Sequence, residues 1–105
     1  MLLVCRFVPP VPADLLPRGR RALELLTRAE GCLGGELGRA VDEPDHWVLT
    51  VRFASVDAYR RSLSPFEVRE HVVPLLSEAK PEPSTHETLL AGVNGSVVEF
   101  PSLLA

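Results

Sequence analysis

A chain of 105 residues holds one compact domain. Its 46% hydrophobic and 24% charged residues make an ordinary globular balance. The net charge of -3, with no concentrated run of Lys and Arg, argues against nucleic-acid binding.

The nearest basic cluster, Arg18 to Arg21, falls in a helical pattern beside Glu24 and reads as a solvated helix face. No apolar run approaches the ~20 residues of a membrane helix. The short apolar start is interrupted by Arg6 and has no basic leader, so it fails as a signal peptide. Cys5 and Cys32 lack CxxC spacing. The expectation is a cytoplasmic protein with reduced, packing cysteines.

The first element is a strand over Leu2 to Val8, apolar on both faces and ended by "PPVP". A helix follows over about Leu15 to Glu30. Asp14 caps it, Pro17 lies in its first turn and Gly31 stops it. Its apolar stripe is Leu15, Ala22, Leu26 and Ala29, with Leu16 and Leu23 alongside.

Cys32 to Asp42 is a weaker strand, with Leu33, Leu37 and Val41 on one face. Gly34, Gly35 and Gly38 suggest a bulge, a strong twist or close approach by another group. "DEPD" has turn composition and joins this strand in a hairpin to "HWVLTVRFAS". There Trp47, Leu49, Val51 and Phe53 alternate with His46, Val48, Thr50 and Arg52.

Ser55 caps a short helix with Val56, Tyr59 and Leu63 at helical spacing. "SPFE" starts another, with Ser64 as cap, Pro65 as first helical residue and Glu67 closing a capping box. Pro74 kinks or breaks it. Thr85 to Gly92 is the last strand of the domain, residues 1–92. The apolar tail, 93–105, is expected to pack on a protomer, its own or the partner's.

The order βαββαβ is the ferredoxin-like arrangement, an α+β fold. Its four-stranded antiparallel sheet carries the helices on one face. The other face is too apolar for open water, and the simplest cover is a second copy in a two-fold dimer through the sheet faces. Arg52 then meets Glu36 or Glu87 in that interface. Trp47, Leu49, Val51 and Phe53 face the helices.

The stretch Cys32 to Ala79 resembles the antibiotic biosynthesis monooxygenase domains of the dimeric α+β barrel superfamily. The Gly-rich strand, the Trp-led strand, the Ser-started helix with Tyr59 and "EVREHVVPLL" come in that family's order. With the first strand and helix, the likeness covers about Leu2 to Gly92. The resemblance implies a homodimer with a pocket between sheet and helices in each protomer. It also implies a monooxygenase needing no cofactor, neither metal nor flavin, and acting on a small aromatic, polyketide-like or quinone-like molecule. A phenol or enol is deprotonated, and its anion gives an electron to O2. The protein supplies a dry pocket, a base and a hydrogen bond.

On this reading His71 is the candidate base, since imidazole suits neutral pH. Tyr59 orients a phenolic substrate. Trp47, Leu49, Val51, Phe53, Val68 and Val72 line the pocket, with Trp47 and Phe53 as an aromatic wall. Each has a plainer alternative as core or rim. A haem-degrading branch of the family has Asn on the first strand, Trp at the end of the third and His on the following helix. Only the His position, His71, matches; Phe53 stands at the Trp position. A non-catalytic binding or interaction dimer is the alternative from a different class. His46 and His86 lack metal-ligand spacing with His71 or either Cys, so no metal site is expected.

Overall fold

A computed structural model describes residues 1–104. The first strand, β1 (Leu2–Phe7), alternates as a strand with one covered face must: Leu3, Cys5 and Phe7 are buried. It pairs antiparallel with β3 (Trp47–Phe53), Leu3 opposite Val51 and Cys5 opposite Leu49. On its other side β3 pairs with β2 (Cys32–Arg39). A two-residue strand, β4 (Thr85–His86), closes the four-stranded sheet in the order β2-β3-β1-β4.

The helices cover one face. α1 (Leu15–Thr27) and α2 (Val56–Ser62) are joined there by α3 (Phe66–His71) and α4 (Val73–Ser77). Leu15, Ala22 and Leu26 of α1 meet Leu3, Phe7, Leu49, Val51 and Phe53 of the sheet in one core, with Val68, Val72 and Leu75 below. This is the ferredoxin-like order expected. The predicted final strand is the exception in extent.

Several local expectations need correction. The α1 stripe is rotated: Leu25 and Gly19 are buried, while Leu16 is exposed. Gly19 lets the helix approach β2, since a Cβ there would stand 2.5 Å from Leu37 Cδ2. Leu33, Leu37 and Val41 do not share a face. A bulge between Cys32 and Gly34 sets Gly34 opposite Arg52, and the side chain of Leu33 is exposed.

Ser55 caps α2 as expected, its Oγ accepting from Ala58 N at 3.0 Å. Ser64 forms no capping box. Its hydroxyl donates instead to the Arg61 carbonyl in the preceding turn, and α3 has no side-chain cap. Pro74 breaks the helix: α3 ends at His71 and α4 begins at Val73, since proline has no N–H for the ladder. Asp14 likewise makes no side-chain cap bond.

The segment after α4 lies along β1 earlier than expected. Lys80 N donates to Arg6 O and Val4 N to Ser84 O, both at 2.7 Å. Pro81 and Pro83 between them cannot donate, which limits the regular ladder to Thr85 and His86. The rest of the predicted strand turns away into a hairpin, β5 (Leu90–Val93) against β6 (Ser96–Glu99). Its turn is Asn94-Gly95, both at positive φ (52° and 80°).

Candidate functional site

Alternation on β3 divides the predicted site residues. Leu49, Val51 and Phe53 point to the helices and are 0–1% exposed. Val68 and Val72 meet them from α3 and its C-cap, equally buried. These side chains fill the sheet–helix layer as core. Trp47 and Phe53 do share the helix side, but they stand at opposite ends of β3. Six strand steps separate them by roughly 20 Å, so they form no single wall for one flat ligand. Arg39 covers the Trp47 ring at 5.3 Å from its centroid.

Tyr59 is half-buried on α2. Its ring meets Phe53 edge-on, with centroids 5.4 Å apart. Burial, and secondarily Cys5 nearby, raises the Tyr59 hydroxyl above its ordinary value. It is therefore a neutral phenol at physiological pH. Burial pushes the Cys5 thiol up to about 11, so Cys5 is a packing group, as expected. His71 ends α3 with its side chain 45% exposed, its Nε2 3.8 Å from Glu70. Helical geometry turns Val68 and Val72 inward and His71 toward solvent.

The open space lies elsewhere. A cavity of about 500 Å3 opens at the C-terminal end of β3. Its walls are largely apolar: Leu33, Phe53, Val56, Ala91, Phe100 and Leu103 among them. The bulge in β2 brings Leu33 to it, the N-terminus of α2 brings Val56, and the C-terminal segment brings Phe100. Glu87 lines it but is engaged, accepting from Ser102 Oγ at 2.5 Å and Leu103 N at 3.1 Å. These bonds fold residues 100–103 over the cavity mouth.

Arg52 is the sole cationic side chain in the lining, and it makes no ion pair among the described residues. Such a volume matches small-molecule sites, which are mostly apolar with a few polar groups. A guanidinium there can receive a carboxylate or phenolate. Of the residues singled out in sequence, this cavity gathers only Phe53. Arg52 drew notice only as an odd charge on an apolar strand, and Gly34 at φ +127° marks the bulge that exposes Leu33 beside it.

A second cleft, about 480 Å3, separates α1 from β2 and is lined by Leu16, Arg20, Leu23 and Leu37 among others. In the β2–β3 turn the ligand atoms of Glu43, Asp45 and His46 lie within 4.8 Å of one another. His46 Nδ1 is 3.0 Å from Asp45 and 3.4 Å from Glu43, contacts that tie down an exposed turn. No helix among the described residues is long and apolar enough to cross a membrane.

The fold has solved counterparts. A substituted form of SnoaB, a cofactor-independent oxygenase from Streptomyces nogalater, superposes with a TM-score of 0.64 at 25% identity, covering 84% of this chain and 94% of that one. A protein of Chloroflexus aurantiacus assigned to the antibiotic biosynthesis monooxygenases gives 0.65 at 20% identity, covering 90% and 95%. A further antibiotic biosynthesis monooxygenase gives 0.58 at 20%, covering 98% and 99%. No curated sequence is detectably similar. The family model for antibiotic biosynthesis monooxygenase matches residues 13–72, from the approach to α1 through the C-cap of α3. The chain belongs to the antibiotic biosynthesis monooxygenase family.

Proposed function

We propose that this protein is a cofactor-independent monooxygenase whose substrate is a small aromatic or quinone-like molecule bound as a phenolate or enolate. Family membership over residues 13–72 supports the reaction class. The observation that carries the site is the apolar cavity at the end of β3 with Arg52, which makes no ion pair among the described residues. The flat substrate body lies against Leu33, Val56 and Phe100. Its anionic oxygen meets the Arg52 guanidinium, which favours the deprotonated, electron-rich form that reacts with O2.

His71, the base suggested by the family position, serves only a substrate held on the helix side, where the layer is filled. Oxygen uptake with a panel of polycyclic phenols tests the reading. Uptake by the wild type that falls about tenfold or more in Arg52→Gln, as expected for losing a hydrogen bond to a charge, supports the cavity. Uptake lost in His71→Ala but kept in Arg52→Gln moves the site to the helix layer. No uptake with any phenol sinks the oxygenase reading.

A second reading, a non-catalytic binding dimer, is favoured by one observation: the packed layer between Leu49, Val51, Val68 and Val72. Binding of a phenol without oxygen uptake supports it. In both readings two copies pair through the open sheet face, where Leu2, Val4 and Val48 are half-buried and Arg52 is exposed.

A further inference from the structure

Arg52 and Glu87 line the same largely apolar cavity, one a cation and one an anion, and yet they do not pair among the described residues. Opposite charges in apolar surroundings attract strongly, so their separation has a cause. The strand register brings them near one another. Arg52 on β3 is opposite Leu2 on β1, and Leu2 is opposite His86 on β4. Glu87 follows His86 directly. Two strand spacings, roughly 10 Å, separate the backbones at Arg52 and His86. An arginine and a glutamate side chain together span such a gap.

The C-terminal segment keeps the two charges apart. Both oxygens of the Glu87 carboxylate are taken: Oε1 accepts from Ser102 Oγ at 2.5 Å and Oε2 from Leu103 N at 3.1 Å. Phe100 N donates to Leu89 O at 2.9 Å. Beyond it, residues 101–104 make hydrogen bonds only to Glu87 and to one another among the described residues. Pro101 has no N–H to add. Nor does apolar burial hold them, since Leu103 is 82% exposed and Leu104 75%. Ordering such a segment costs conformational entropy. Glu87 is therefore its main anchor, and whatever frees the segment frees the carboxylate.

We propose that Glu87 is a positioning residue for the cavity: held by Ser102 and Leu103 it leaves the Arg52 guanidinium open to an anionic ligand, and released it pairs with Arg52 and turns anions away. The C-terminal segment thus sets the charge of the cavity as well as its wall. This role rests on the assignment of the cavity to an anionic substrate, not on the oxygen chemistry.

The test is calorimetric binding of two probes to the full chain at neutral pH: 2-naphthoate, an anion, and 2-naphthylmethanol, its neutral counterpart. Their affinity ratio cancels any loss of the apolar wall and reads the charge alone. Ser102→Ala/Leu103→Pro removes both donors to Glu87. Both positions are exposed, so folding should survive; an unchanged near-ultraviolet signal from Trp47 checks this. The ratio should fall about tenfold in this variant, as expected for losing a hydrogen bond to a charge. Adding Glu87→Gln should restore it, because no carboxylate then competes for Arg52. A ratio unchanged in the first variant, or a fall that Glu87→Gln does not reverse, overturns the role of Glu87 alone. Naphthoate binding that is absent in the wild type, or undiminished in Arg52→Gln, overturns the cavity as an anion site and the role of Glu87 with it.

Discussion

The glycines of β2 offer a sharp test of how the edge strand is packed. A Cβ at Gly35 would stand 2.7 Å from the Thr50 carbonyl oxygen, 3.0 Å from Val51 Cγ2 and 3.1 Å from Leu23 Cδ2. The carbonyl is backbone of the adjacent strand and cannot rotate away. At Gly38 the nearest atom is Val48 Cγ1 at 3.8 Å, ordinary contact. Overpacking of the first kind costs about 1–3 kcal/mol. Restricting the unfolded chain returns about 0.4–1 kcal/mol in either case. Gly35→Ala should therefore destabilise by about 1–2 kcal/mol, while Gly38→Ala is neutral or stabilises by up to about 1 kcal/mol. The gap of roughly 2 kcal/mol corresponds to about 8–16 °C in Tm for a domain near this size. Urea and thermal unfolding of both variants measure it. Equal stabilities, within about 0.5 kcal/mol, would refute the claim that β2 is clamped against β3 and α1 at Gly35.

Two further outcomes follow from single side chains. Burial raises the Cys5 thiol to about 11 from an ordinary 9.0, so the folded chain holds a proton that the unfolded chain releases. Stability is thus unaffected below pH 9 and falls as pH rises from 9 toward 11, by at most about 2–3 kcal/mol. Cys5→Ala should flatten that slope in unfolding measured against pH. The flattening should be partial, because Tyr59 is raised in the same direction. Ser55→Ala removes the acceptor for Ala58 N and should cost about 1 kcal/mol, read as a lower urea midpoint at unchanged slope.

The strands and helices that alternate cleanly were legible in sequence because burial alone decides them. Leu49, Val51 and Phe53 are apolar at period two, and no other face of β3 could enter the core. Pro74 marked its break because proline's missing N–H acts locally. What escaped was set by competition between neighbours. Ser64 had two uses for one hydroxyl, and the preceding turn's Arg61 carbonyl took it. The Asn94-Gly95 pair between apolar runs is a hairpin signal, and it makes residues 90–99 two paired strands rather than part of one docked tail. The bulge at Cys32/Gly34 was suggested by the glycines. Its consequence for Leu33 was not, since one extra residue reverses the side on which every earlier side chain falls.

That last point decides where chemistry can reside. A regular β2 would put Leu33 with Leu37 against α1, and the end of β3 would lose the Leu33 side of its apolar wall beside Arg52. The bulge turns Leu33 outward, and the C-terminal segment, held by Glu87 through Ser102 and Leu103, supplies Phe100 opposite. The space that the family likeness placed between sheet and helices is occupied by Leu49, Val51, Val68 and Val72. Admitting a ring there means moving side chains packed at crystal-like density. The cavity at the end of β3 needs no such displacement and already holds Arg52, which has no ion-pair partner among the described residues. The cost of binding is lower where the space exists, so under the proposed function substrate selection is expected to run through Arg52.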